Sequence, residues 1–188
     1  MMVKICGITR REDALAAAEA GASAIGFIFY RPSPRYIEPS NAAQAGEGLD
    51  VWKVGVFVDE TAASVEAVVR AARLDVAQVY GGETPRDVRV WRAFRMPLPP
   101  GDSALNDADA EAVLLDGPAN GISFDWALTR GTAPKLILAG GLGASNVAAA
   151  IRIARPWGVD ASSSLETAPG IKDHEKVRAF IRAAREGP

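Results

Sequence analysis

The chain holds one cysteine, Cys6, and one histidine, His174, in 188 residues, so its means for acid–base chemistry are few. A single histidine excludes histidine-rich metal sites and serine–histidine triads built elsewhere in the chain. Cys6 ends the first apolar segment and precedes Gly7. A lone cysteine is ordinarily an inert small hydrophobe, yet a free thiol pKa of about 8.5 permits a thiolate base where the surroundings lower it. Lys4 shares the strand parity of Cys6, so both point to the same side. A buried lysine needs a partner, and Asp116 and Asp160 are the candidates. Two further segments read as an anion site. Gly140 and Gly141 allow close backbone approach, and Ser162, Ser163 and Ser164 follow Asp160. Amide N–H groups at helix starts favour phosphate. Taken singly, one segment is a tight turn and the other a set of caps; together, at the ends of neighbouring strands, they favour phosphate. Arg35, within Ser33-Pro34-Arg35-Tyr36, is a solvated loop arginine in the ordinary case and a carboxylate clamp if it sits at a cavity mouth. Asp125 precedes Trp126-Ala127-Leu128, where a carboxylate is stabilised by a helix start. His174 opens the last helical stretch and is read as a surface residue.

The elements that must position these groups alternate almost from end to end. Strands are predicted at Val3–Cys6, Ala24–Ile28, Lys53–Val58, Val76–Tyr80, Arg89–Arg95, Ala112–Asp116, Lys135–Ala139 and Gly158–Ser162. Their apolar residues fall on consecutive positions, as in parallel strands covered on both faces. Helices are predicted at Arg11–Ala20, Thr61–Ala72, Ser145–Ala154 and His174–Arg185, the first closed by Gly21. Eight strands alternating with helices make a single (β/α)8 barrel over residues 1–188 the leading architecture, with an open doubly wound sheet as the alternative. In both, ligands sit at the carboxyl ends of strands, where the residues above fall, and the anion segments follow strands seven and eight. Gly81 to Asp87 is short for a parallel crossover, which usually takes a dozen residues. One helical turn or an irregular loop is expected there, with that flank thinly covered. Pro97–Gly101 reads as a rigid loop.

Composition narrows the partners. Hydrophobic residues are 48%, charged residues 23% and the formal net charge −2, with both signs interspersed. No basic block offers a phosphate-backbone footprint, so nucleic acid is not expected. No apolar run reaches the roughly 18 residues of a membrane span. The opening segment lacks the apolar core and cleavage site of a signal peptide. One cysteine cannot form an internal disulfide, which points to a reducing, cytoplasmic setting.

From Val3 to about Ile181, the ordered segments Lys4-Ile5-Cys6-Gly7-Ile8-Thr9, Ala24-Ile25-Gly26-Phe27-Ile28-Phe29, Ser33-Pro34-Arg35-Tyr36, Lys53-Val54-Gly55-Val56-Phe57-Val58, Phe124-Asp125-Trp126, Leu138-Ala139-Gly140-Gly141-Leu142, Gly158-Val159-Asp160-Ala161-Ser162-Ser163 and Pro169-Gly170-Ile171-Lys172-Asp173 resemble the phosphoribosylanthranilate isomerase family of tryptophan biosynthesis. The resemblance implies an Amadori rearrangement of a small-molecule sugar phosphate. Asp125 is then the general acid, Cys6 the general base, and Arg35 the contact to the anthranilate part. Phosphate falls on Gly140, Gly141, Ser162 and Ser163, with Asp160 also on the substrate. Such chemistry has no net redox change and adds no water, so no cofactor or metal is called for. It needs one proton donor and one acceptor, each typically worth ~10²–10⁴-fold. The acid must stay protonated near neutral pH, which asks for partial burial.

Three positions depart from the family pattern: Tyr80 where histidine is common, Gly82 where aspartate is common, and Ser164 where glycine is common. The segment from Gly117 to Ser123 is also poorer in glycine than usual. The related barrel isomerase of histidine biosynthesis is disfavoured by Cys6, by the length and by the missing internal repeat. A non-catalytic phosphate-ligand-binding barrel is the rival of another class, and retention of Cys6, Arg35 and Asp125 together argues against it. The chain is read as a monomer or a homodimer; a homodimer that buries the strand-five side follows from the short crossover.

Overall fold

The computed structural model describes residues 1–98, 110–119 and 121–187. Eight strands form a closed barrel in sequence order, every neighbouring pair parallel: β1 (Met2–Cys6), β2 (Ala24–Ile28), β3 (Trp52–Val58), β4 (Val76–Tyr80), β5 (Arg89–Arg95), β6 (Ala112–Asp116), β7 (Leu136–Leu138) and β8 (Gly158–Ala161). The predicted strands are all present, with ends moved by one residue or so. The helices are α1 (Arg11–Glu19), α2 (Pro39–Gly46), α3 (Ala62–Ala72), α4 (Val147–Ala154) and α5 (His174–Glu186). A short antiparallel hairpin, β9 (Glu166–Ala168) with β10 (Ile171–Lys172), follows β8. Neither α2 nor the hairpin is among the predicted elements. The first is a brief, alanine-rich turn of helix with Pro39 at its start, where proline's missing N–H costs nothing. Its apolar stripe is too short to stand out from a loop.

Strand parity divides the core in two. Val3, Ile5, Ile25, Phe27, Phe57, Ala77, Val79 and Val159 point outward into a layer shared with the helices. Helix α5 closes that layer with Val177, Phe180, Ile181 and Ala184, spaced as one helical face and all buried. Asp173 caps its start, accepting hydrogen bonds from the N–H groups of Glu175 (3.0 Å) and Lys176 (3.2 Å). The other parity fills the barrel: Met2, Ala24, Val54, Val76, Trp91, Ala93, Ala112, Leu114 and Ile137. At its amino-terminal end Trp91 packs against Trp52 and Trp157, ring centroids 6.1 Å from each. The barrel is a packed solid at that end, so its opening lies at the other.

No helix links β4 to β5; the connection is irregular. Thin cover is expected of that flank, and the irregular loop covers it without a helix. Ala77, Val79 and Val90 on the outer face there are buried. The loop lies along α3, where Arg86 N–H donates to Glu66 (3.2 Å) and Ala62 N–H to Glu83 (3.0 Å). Of the Pro97–Gly101 loop, Pro97 and Leu98 follow β5. Its remainder and the connection to β6 as far as residue 109 lie outside the described residues, as does Asn120 in the loop after β6.

Candidate active site

At the carboxyl ends of the strands the inward-facing residues enclose a cavity of about 410 Å³. Cys6, Arg35, Gly140, Gly141, Asp160, Ser162 and Ser163 all line it, from four segments of the sequence. Asp125 does not. It is exposed, and its carboxylate accepts the Ala127 N–H (3.0 Å) at the start of the 3₁₀ turn Trp126–Thr129. The partial burial expected of the acid is therefore missing in this conformation.

Cys6 lies at the floor. Lys4, two residues before it, points the same way and is wholly buried, with Nζ 2.9 Å from Asp160 Oδ2. Of the two candidate partners, register decides for Asp160, which stands directly opposite Lys4 across the β1–β8 pair. Gly26 on β2 leaves the space these side chains occupy, since a Cβ there would fall 2.8 Å from Cys6 Sγ and 3.0 Å from Lys4 Cε. Burial pushes the Cys6 thiol above its usual pKa, and the Lys4 ammonium offsets only part of that rise. Burial also disfavours the Lys4 charge, but Asp160 and then Cys6 outweigh it and keep the ammonium charged.

The anion side is built from backbone. Gly140 has φ +89°, and a Cβ on it would meet the Gly117 nitrogen at 2.3 Å. Only glycine lets the turn after β7 pass so close to the loop after β6. Ser164 Oγ donates to the Leu142 carbonyl, tying the β8 loop to the β7 loop, which is the use this chain makes of its departure at that position. Among the described residues nothing accepts from the backbone N–H groups of Gly141, Leu142, Ser163 and Ser164. Unpaired amides facing a cavity suit an anion.

Arg35 is held by a residue that sequence reasoning missed. Glu166, at the start of β9, takes two hydrogen bonds from it and a third from Lys172 Nζ (2.8 Å). Lys172 also donates to the Ser162 carbonyl (3.2 Å). Burial works against the Glu166 charge, but Arg35 and Lys172 outweigh it and hold the carboxyl below the usual range. The Pro169-Gly170 dipeptide is the one sequence signal for the hairpin that carries both residues.

The opposite wall is Gln78, Tyr80, Arg95 and Asp116. Tyr80 OH donates to Asp116 Oδ2 (3.2 Å) and accepts from Gln78 Nε2 (3.4 Å). Burial, with Asp116 next, holds the phenol well above its usual pKa, so it acts as a neutral hydrogen-bonding group. Burial also pushes the Asp116 carboxyl up, against the pull of Arg95. Gly82 does not line the cavity. Asp160 Oδ1 and Gln78 Oε1 are buried with no hydrogen-bond partner among the described residues, and both residues line the cavity. His174 does not line the cavity; it is half-exposed, its Nε2 2.8 Å from Asp13 Oδ1.

A (β/α)8 barrel whose mouth joins an amide-lined anion loop to a cysteine, carboxylates and an arginine belongs to the sugar-phosphate barrel enzymes. Residues 3–183 match the family model for N-(5′-phosphoribosyl)anthranilate isomerase. The isomerase of that name from Solibacter usitatus is 47% identical, with 98% of each chain covered. Monomers made from the dimeric phosphoribosylanthranilate isomerase of Thermotoga maritima superpose with a TM-score of 0.89 at 38% identity, again over 98% of each chain. A phosphoribosylanthranilate isomerase in complex with reduced 1-(o-carboxyphenylamino)-1-deoxyribulose 5-phosphate gives 0.87 at 38% identity and the same coverage. The chain belongs to the phosphoribosylanthranilate isomerase family.

Proposed function

We propose that this chain catalyses the Amadori rearrangement of N-(5′-phosphoribosyl)anthranilate to 1-(2-carboxyphenylamino)-1-deoxyribulose 5-phosphate, with Cys6 as base and Asp125 as acid. The observation that carries the reading is the cavity itself, whose lining joins the chain's one thiol to Asp160 and Gln78 and to a loop whose amides, among the described residues, have no acceptor. The substrate phosphate takes the amides around Gly140, Gly141, Ser162 and Ser163. Asp160 Oδ1 accepts a sugar hydroxyl. Arg35, fixed by Glu166, meets the anthranilate carboxylate. The acid protonates the ribose ring oxygen, the bond from C1′ to that oxygen breaks, and the nitrogen lone pair completes a protonated Schiff base. The Cys6 thiolate then takes the C2′ proton, and the C–H electron pair forms the C1′–C2′ double bond of an enol-amine. Loss of the enol proton and protonation at C1′ give the ketone.

Asp125 holds its role by its place in Phe124-Asp125-Trp126. To act, its side chain must leave the Ala127 cap and turn inward with the segment that begins at Gly121, which already lines the cavity. One observation favours a second reading. Asp116 is at the cavity already, with its carboxyl pushed up by burial, and would serve as acid with no such motion.

The test follows the decay of anthranilate-type fluorescence in freshly generated phosphoribosylanthranilate. The expected result is rapid decay with wild type and Asp116→Asn, and near-background decay with Cys6→Ala and Asp125→Asn. An inactive Asp116→Asn beside an active Asp125→Asn would transfer the acid to Asp116. No decay with folded wild type would overturn the activity and leave a phosphate-ligand-binding barrel.

In the same reading the chain is one domain, residues 1–188, working in the cytoplasm, where reducing conditions keep Cys6 a thiol. It is a monomer or a homodimer; the dimeric Thermotoga maritima relative supports the second. Among the described residues no helix is long and apolar enough to cross a membrane.

A further inference from the structure

We infer that Lys4 is the positioning residue of the base: its buried ammonium, anchored on Asp160, lies beside Cys6 and makes that thiol available for proton abstraction. The inference rests on the reading of Cys6 as base. Its grounds are in the barrel wall. Lys4 and Cys6 are two apart on β1 and face inward together. Both crowd the same point over Gly26, at 3.0 Å for Lys4 Cε and 2.8 Å for Cys6 Sγ. The ammonium has three donors, and Asp160 Oδ2 takes one at 2.9 Å. The Lys4 side chain has no exposed surface, and Cys6 is the neighbour on its own strand packed against the same point over Gly26, close enough for the ammonium and a thiolate to attract. A lysine buried in a barrel interior is costly, and an aliphatic residue of the same shape would pack there more cheaply. Packing alone therefore gives no reason for it.

The groups facing Cys6 are Lys4 on its own strand, Asp160 on β8, Tyr80 on β4, Lys172 on β10 and Arg35 in the loop after β2. Lys4, Lys172 and Arg35 favour the thiolate, whereas Asp160 opposes it. Tyr80 stays neutral. Each of the three cations holds a carboxylate, Lys172 and Arg35 on Glu166 and Lys4 on Asp160; Lys4 is the one on the strand of Cys6 and acts on the thiol most strongly. When the thiolate accepts the C2′ proton, that pairing becomes a neutral thiol beside the Lys4–Asp160 ion pair. The ammonium keeps all its protons throughout.

Cys6 is the only cysteine in the chain, so its ionisation can be read directly as thiolate absorbance and as the rate of iodoacetamide alkylation against pH, without substrate. In Lys4→Met the midpoint is expected to rise by about one pH unit or more, in line with a nearby opposite charge. Turnover should fall about tenfold or more at neutral pH and partly recover in alkali. In Asp160→Asn, which removes a negative charge from the same cluster, the midpoint is expected to fall. Shifts of opposite sign cannot come from loosened packing, which would move both variants alike. A folded Lys4→Met with an unmoved or lowered midpoint overturns the inference. If Lys4→Met does not fold, Asp160→Asn decides, and a midpoint that fails to fall overturns it. Since the titration needs no substrate, failure here is separate from failure of Cys6 as base, which the turnover of Cys6→Ala reads.

Discussion

Arg35 and Glu166, 131 residues apart in the chain, are joined by two parallel hydrogen bonds, Nε to Oε1 at 2.8 Å and Nη2 to Oε2 at 2.7 Å. The fork geometry fixes the guanidinium in plane as well as in place. It also ties the loop after β2 to the hairpin after β8, so two sides of the mouth move as one. Glu166→Gln keeps the shape but weakens charge-assisted bonds typically worth about 1.5–3 kcal/mol. The expected outcome is a KM raised roughly tenfold to a hundredfold with a smaller change in kcat, measured by steady-state kinetics. An unchanged KM would mean that Arg35 needs no such support.

Gly7 packs closely against Arg35 and Ser162. Its φ is +75°, and a Cβ there would fall 2.7 Å from Arg35 Cδ and 2.8 Å from Ser162 Oγ. Gly7→Ala is expected to cost about 1–3 kcal/mol through backbone strain, seen as a lowered urea midpoint. Displacement of Arg35 and Ser162 should weaken substrate binding beyond the loss of stability. A variant with wild-type KM would show that neither residue holds its ligand.

At the closed end of the barrel, Glu111 receives Arg89 (2.8 Å on each oxygen) and Lys135 (2.9 Å). Chiefly through the Arg89 hydrogen bonds its carboxyl is lowered to about 2 from 4.5. A depressed folded-state value stabilises above the unfolded value and loses that contribution as pH falls through the folded one. The window is therefore from about pH 4.5 down to about 2, and the amount is roughly 1–2 kcal/mol after solvent screening. Urea unfolding across that range should show a shallower acid limb in Glu111→Gln. Parallel limbs in the two proteins would rule the contribution out.

Trp91 is fully buried between Trp52 and Trp157, and its indole N–H has no partner among the described residues. Trp91→Ala is expected to cost about 3–5 kcal/mol, from lost transfer energy and the cavity left behind. Trp91→Phe should recover much of this, because it also removes the unsatisfied donor. A smaller loss in the alanine variant than in the phenylalanine variant would contradict the account.

The amino-acid sequence by itself determined the repeating strand–helix order, the parity that turns Lys4 and Cys6 inward, and the loops that collect at one end. These follow from local periodicity, which is a property of neighbouring residues. It also placed Cys6, Arg35, Gly140, Gly141, Asp160, Ser162 and Ser163 at strand ends, where a parallel barrel must gather them. Tertiary structure alone decided the pairings. Register across β1 and β8 selected Asp160 over Asp116 as the partner of Lys4. Closure of the barrel brought Glu166 to Arg35, a contact for which neither residue's neighbours carry any pattern. The outward turn of Asp125, and the covering of the β4–β5 flank by α3 and its loop, were likewise out of reach of periodicity. Each depends on which surfaces meet once the chain has closed, and hydrogen-bond partners so far apart in sequence are selected by that geometry.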